Sequence, residues 1–124
     1  MAWNLTSDRP IYAQLVEIIQ MQIVSGSYPP GAKLPTVREL AATAAVNPNT
    51  MQKAFSELER SGLIITQRTN GRNVTENQEL IQNIRQKLAA DYKADFFEKM
   101  QKLGFSEKDT AAFLEQSYGR EKSE

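Results

Sequence analysis

The stretch VNPNTMQKAFSELERSGL, residues 46–63, reads as a helix that opens abruptly and presents one polar face. Asn47 is a good N-cap, since its side-chain oxygen can accept from a first-turn amide. Pro48 falls at the first helical position, where its missing N–H is no loss. Met51, Ala54, Phe55 and Leu58 follow at steps of three, one and three, which places them on one inward face. Asn49, Thr50, Gln52, Lys53 and Ser56 are left outward, and the helix ends near Ser61-Gly62. The opening run, Asn49 to Lys53, carries a single positive charge, so any attraction for a polyanion must come partly from elsewhere.

Just upstream, Thr36-Val37-Arg38-Glu39 fits a capping box: the Thr36 hydroxyl meets the amide three residues on, and Glu39 reaches back to the Thr36 amide. A short helix through about Ala44 follows. Only about three residues, Ala45 to Asn47, separate the two helices, so they must cross sharply, as in a helix-turn-helix. Further upstream, Pro10 precedes Ile11, Leu15, Ile18, Ile19 and Ile23, with Gln14, Glu17, Gln20 and Gln22 mostly between them, which predicts an amphipathic helix stopping near Gly26. SYPPGAKLP then reads as a turn-rich connector. Trp3 and Leu5 read as anchors for the N-terminal arm.

Downstream, Leu63 to Gln67 is short and β-branched, Thr69-Asn70-Gly71 contains a strong hairpin dipeptide, and Arg72 to Thr75 can return. Three helices and a hairpin make a winged helix-turn-helix. Residues 77–118 then predict two more helices. Ile81, Ile84, Leu88, Tyr92, Phe96, Met100 and Leu103 form a stripe at three- and four-residue steps, and Gly104 ends it. Phe105 precedes Ser106-Glu107-Lys108-Asp109, a capping-box-like start, after which Ala112, Phe113 and Tyr118 continue the apolar contribution. The expected fold is thus mainly α with a small β-wing, a winged helix-turn-helix at 1–76 followed by a two-helix tail at 77–124.

Composition sets further bounds. The chain has 124 residues, enough for one core with an extension, and no apolar run near the ~20 residues that span a bilayer. Nothing in MAWNLTSDRP reads as a secretory signal, so a cytoplasmic location is expected. Cys and His are both absent, which removes disulfides, the commonest metal ligands and the commonest general base. Net charge is zero, but unevenly spread: residues 1–75 hold seven Lys/Arg against five acids, and residues 76–124 hold eight against ten.

The blocks PIYAQLVEIIQMQIVSG, PPGAKLPTVRELA and VNPNTMQKAFSELERSGLI, followed by the Asn-Gly hairpin, resemble in order and spacing the DNA-binding domain of GntR-family bacterial transcription regulators, over about residues 9–76. The remaining 48 residues resemble the short two-helix tail of the family's YtrA-like branch, which in that branch serves dimerisation. Two departures stand out. Pro48, Gln52 and Lys53 occupy positions where the family commonly has arginine, which implies a different base preference. The hairpin, Thr69-Asn70-Gly71-Arg72-Asn73-Val74, departs from the family's Gly-x-Gly wing, so wing-tip contacts carry over only as far as Gly71.

The candidate DNA-binding residues are therefore Lys33, Thr36, Arg38, Asn49, Thr50, Gln52, Lys53, Arg68, Gly71 and Arg72. The amides and side chains of Asn49 and Thr50, at a helix N-terminus, are expected to hold a phosphate without a cation. Gln52 suits adenine, and Lys53 suits guanine or a phosphate. Arg38 resembles the family arginine that reaches the groove; its bland reading is a solvated arginine paired with an acid. Arg68 and Arg72 flank the hairpin tip, suited to the minor groove or to solubility alone. Lys33 has equal claims as a backbone contact and as a surface lysine, and Arg60 reads as structural.

Two helices of this size cannot form an independent core, so the stripe must pack on the first domain or on a second chain. The resemblance to the YtrA-like tail implies the second chain, with Ile81, Ile84, Leu88, Tyr92, Phe96, Met100, Leu103 and Phe113 as the dimerisation residues. An intramolecular stripe covering a monomer is the alternative. These features predict a homodimeric repressor on an inverted-repeat DNA operator, or else a winged helix that binds a protein partner. An enzyme is disfavoured by the missing His, Cys and phosphate-binding Gly-rich loop, and no cofactor or metal is expected. A small-molecule effector, if any, is limited to a cleft at the dimer interface lined by Tyr92, Phe96 or Tyr118, aromatics that also read simply as packing.

Overall fold

The structure, a computed structural model, describes residues 3–122. The elements run α1 (Ile11–Val24), α2 (Val37–Ala44), α3 (Pro48–Arg60), β1 (Ile64–Gln67), β2 (Gly71–Val74), α4 (Gln78–Lys102) and α5 (Glu107–Lys122). The expected mainly helical architecture with a two-stranded wing is the one observed. Two compact units divide the chain, Met1–Arg85 and Gln86–Glu124, with the junction inside α4.

In the first unit, α3 is the central element, packed against both α1 and α2. Its Met51, Ala54, Phe55 and Leu58 are all fully buried, as their spacing predicts, beside Leu15 and Ile19 of α1 and Leu40 of α2. Both caps around the turn form as read. Thr36 Oγ1 accepts from the Glu39 amide at 3.1 Å while the Thr36 amide donates to Glu39 Oε1 at 2.9 Å. The turn itself passes through Ala45, the one non-glycine at positive φ among the described residues (φ 60, ψ 48), a conformation that costs an L-residue roughly 1–2 kcal/mol. The amides of Ala45 and Val46 close back onto Ala42 and Ala41, which holds that bend.

The wing pairs Ile64 with Val74 and Gln67 with Gly71 in an antiparallel register. Its loop is three residues long, and Asn70-Gly71 does not form the two-residue turn in which both would take positive φ; only Gly71 does (φ 69). The connector also departs from expectation. Lys33 bridges Asn73, Leu34 N donates to Arg72 O at 2.8 Å, and Val74 N to Ala32 O at 2.9 Å, so residues 32–34 add a third strand segment to the wing's inner edge. Prolines at 29, 30 and 35 flank the pairing residues and hide this in the sequence.

Gln14 is a second correction. It lies among the polar positions of α1 but is buried, its amide accepting from Thr6 N at 2.8 Å and donating to Thr6 O at 2.8 Å and Arg9 O at 3.0 Å. It thereby pins the arm that brings Trp3 and Leu5 onto the core. Ile81 also joins this core and Ile84 packs against it, because the first two turns of α4 lie over the body. Gly62 permits the approach: its φ is 86, and a Cβ there would sit 3.2 Å from Leu80 Cδ2.

In the second unit, the predicted capping box opens α5, with Asp109 N to Ser106 Oγ at 3.0 Å and Ser106 N to Asp109 Oδ2 at 3.3 Å. The α4–α5 corner is closed by Phe105 N donating to Met100 O, by burial of Met100 and Thr110, and by an edge contact between Phe105 and Phe113. Among the described residues, α4 and α5 make no extensive packing contact beyond that corner. No described helix is long and apolar enough to cross a membrane.

Candidate nucleic-acid interface

The outward face of α3 carries the side chains read from its spacing: Asn49, Gln52, Lys53 and Ser56 are exposed and Thr50 is half-buried. Gln52 leans along the helix toward Ser56, whose hydroxyl donates to Gln52 O at 3.1 Å. The amides at the helix start, however, are not open to a phosphate. Asn49 N donates to Asn47 Oδ1 at 2.7 Å, and the amides of Thr50 and Met51 both donate to Asn47 O, at 3.0 and 3.1 Å. Pro48 has no N–H to offer. The same N-cap residue that starts the helix therefore consumes the donors expected to hold an anion, and only the side chains of Asn49 and Thr50 and the helix dipole remain for that role.

Cations sort into two groups. Of the seven Lys/Arg in residues 1–75, Arg9 pairs with Glu17 (2.7 Å), Arg60 with Glu57 (3.2 Å) and Arg72 with Glu59 (3.3 Å). Lys33, Arg38, Lys53 and Arg68 are in no ion pair among the described residues, and all four are exposed. Arg38 stands at the second position of α2, Lys53 on α3 and Arg68 in the wing loop. Lys33 belongs to the wing as well, since its Cε lies 3.7 Å from where a Gly71 Cβ would be.

Arg72 is the residue whose reading changes. Its Nε meets Glu59 Oε1, its guanidinium lies over the Phe55 ring at 5.4 Å, and Thr66 opposite it on β1 also hydrogen-bonds Glu59. That cluster ties the wing to α3. The sequence places Arg72 beside the tip because a hairpin's pairing partners are local, while Glu59 is reached only through the packing of β1 on α3.

Thr36 is exposed, its oxygen already accepting from Glu39, so it has a hydroxyl proton to donate outward. The Glu39 carboxylate is held below its ordinary pKa chiefly by the Thr36 backbone amide, then by the Thr36 side chain, with Lys33 adding a smaller favourable field. Lys53 has a partner that no spacing rule indicates: its Nζ stands 3.9 Å from the centroid of the Tyr12 ring on α1.

The tail residues also divide. Ile81 and Ile84 belong to the body's core and Met100 to the α4–α5 corner, so this structure does not offer them to a second chain. Tyr92, Phe96, Leu103 and Phe113 are exposed, Leu103 at 73%, and Leu88 is half-buried. Leu114 is exposed too and was not singled out by the stripe, since it adjoins Phe113 rather than following it at helical spacing. Leu103, Phe105 and Phe113 line an open cleft of about 360 Å³.

Three helices around a sharp turn, a wing tied to the third helix, and unpaired cations on α2, α3 and the wing define a winged helix-turn-helix protein. The chain belongs to the GntR family: the description "bacterial regulatory proteins, gntR family" matches residues 11–74. It is 46% identical over 71 residues to the HTH-type transcriptional repressor YtrA of Bacillus subtilis, covering 57% of this chain and 55% of that one. Among solved structures, a GntR family transcriptional regulator from Listeria monocytogenes superposes with a TM-score of 0.82 at 37% identity, covering 90% of this chain and 98% of that one. AraR(DBD), solved in complex with operator ORX1, superposes with a TM-score of 0.52 at 31% identity over 60% of this chain and 93% of that one. The chain is a helix-turn-helix transcriptional regulator of this family.

Proposed function

We propose that the protein is a homodimeric repressor that binds an inverted-repeat DNA operator through α2, α3 and the wing. The observation that carries this reading is the sorting of charge: among the described residues, every Lys/Arg of residues 1–75 left without a carboxylate belongs to the helix-turn-helix or the wing, while Arg9 on the N-terminal arm, Arg60 at the far end of α3 and Arg72, a wing tie, are neutralised. In this reading Lys33, Arg38 and Arg68 contact phosphate or groove, Gln52 reads bases with a preference for adenine, and Thr36, Asn49 and Thr50 donate from side chains. The operator complex of AraR(DBD) and the repressor name of YtrA support the assignment.

The tail supplies the second half of the affinity. A module with four cations unpaired among the described residues binds weakly at physiological salt, whereas two linked modules share one site and gain effective concentration. Tyr92, Phe96, Leu103, Phe113 and Leu114 form the self-association face, and the cleft at Leu103 and Phe113 is the socket that the second chain fills. Selection of duplexes from a random pool by the full chain, followed by electrophoretic shift at several salt concentrations, tests the reading. It expects an enriched two-fold symmetric site and steep loss of affinity with salt; a dimer that enriches nothing and shifts no duplex at low salt overturns it.

A further inference from the structure

We infer that Tyr12 is a second-element DNA contact that works with Lys53, the pair gripping one backbone phosphate at the α1 flank of α3; this rests on the DNA-binding reading above. Lys53 is one of the two outward side chains of α3 suited to reading bases, but its ammonium is drawn sideways, to 3.9 Å from the Tyr12 ring centroid. An ammonium held over an aromatic face keeps its three N–H donors for an oxygen acceptor as well. Neither Lys53 Nζ nor the Tyr12 hydroxyl has a hydrogen-bond or ion-pair partner among the described residues. The nearest acid along α1, Glu17, is occupied by Arg9 at 2.7 and 3.1 Å.

Two donors that belong to one lysine–ring contact, one charged and one neutral, and that have no partner among the described residues can meet a single anionic oxygen group. Tyr12 is half-buried at the second position of α1, and α1 packs on α3, so the ring is a fixed platform and not a mobile surface residue. A tyrosine hydroxyl and a lysine ammonium are both ordinary phosphate donors, while neither arrangement carries base information. Lys53 is thereby assigned to phosphate, and base discrimination on α3 is left to Gln52.

The experiment uses the full chain on the duplex that wild type enriches from a random pool and on an unrelated duplex of equal length. Tyr12→Phe keeps the ring and removes the hydroxyl; about threefold weaker binding per subunit, hence about tenfold for a dimer, is expected on both duplexes alike, with the salt slope unchanged. Lys53→Gln should weaken both duplexes and reduce the salt slope by about 1 per subunit. Tyr12→Leu adds loss of the platform, and combining it with Lys53→Gln should cost less than the two separate losses multiplied. Arg38→Ala serves as the control for DNA binding itself. If Arg38→Ala weakens binding while Tyr12→Phe and Tyr12→Leu bind as wild type, the Tyr12 inference falls and the proposed function stands. Loss of preference at a single operator position in Lys53→Gln, with an unchanged slope, would reassign Lys53 to a base and also overturn it. Failure of wild type to bind either duplex removes both.

Discussion

Glu59 stands between Thr66 and Arg72, accepting from the hydroxyl of one and pairing with the guanidinium of the other at 3.3 Å, so one carboxylate at the end of α3 holds both strands of the wing. The wing's orientation toward α3 is thereby built from polar contacts as well as from the apolar seam of Phe55, Leu63, Ile64 and Val74.

Arg72 and Arg68 should behave oppositely when truncated. Arg72→Ala removes an ion pair with both side chains about 30% exposed and the cover over Phe55, and is expected to lower unfolding free energy by about 1 kcal/mol. Arg68→Ala should leave stability within about 0.5 kcal/mol of wild type. In salt-dependent DNA binding the order reverses, with Arg68→Ala reducing the slope by about 1 per subunit. Denaturant unfolding and titrations at several salt concentrations, run on both variants, check the pair.

Asn47→Ala should cost about 1 kcal/mol, because Asn47 Oδ1 is the acceptor for the Asn49 amide at 2.7 Å. Asn47→Asp keeps the acceptor and adds a charge favourable to the helix dipole, so its stability should match or exceed that of wild type. The same charge beside the α3 opening repels phosphate, and weaker DNA binding is expected. A stable Asn47→Asp variant that binds DNA more tightly would contradict the placement of the α3 N-terminus against the duplex.

The Glu39 capping box gives stability a pH signature. Its folded-state pKa is depressed, so the contribution is fully present above the unfolded-state value and disappears as pH falls through the folded one. The difference in Tm between wild type and Glu39→Ala should thus be constant across neutral pH and shrink in the acid carboxylate range. A difference that grows on acidification would reverse the assigned sign.

Within the tail, Ile81→Ala and Leu103→Asp separate the two roles that one stripe combined. Ile81 is 6% exposed in the body's core, and its truncation should destabilise the fold by roughly 2–5 kcal/mol without changing subunit number at concentrations where the chain is folded. Leu103→Asp removes no buried contact of the single chain and should shift the molecule to monomer in sedimentation equilibrium. A Leu103→Asp, Phe113→Asp double variant that stays dimeric would place self-association on another surface.

What a four-residue window contains was legible in the sequence. The boxes at Thr36–Glu39 and Ser106–Asp109 and the Asn47-Pro48 start are bonds between near neighbours, so residue type and spacing imply them, and with them the ends of α2, α3 and α5. Periodicity likewise determined which side of α3 is inside, since an apolar face has a single way to leave water. Tertiary structure alone decided which of the outward residues are free. Lys53 over Tyr12, Arg72 on Glu59, Lys33 bridged to Asn73 and Gln14 under the N-terminal arm each join segments that a local window does not contain, and one carboxylate within reach is enough to change a cation such as Arg72 from a contact into a tie. The division of the α4 stripe between core and surface has the same cause: an amphipathic repeat states that a face must be covered, and only the position of the body along α4 states where its own cover stops.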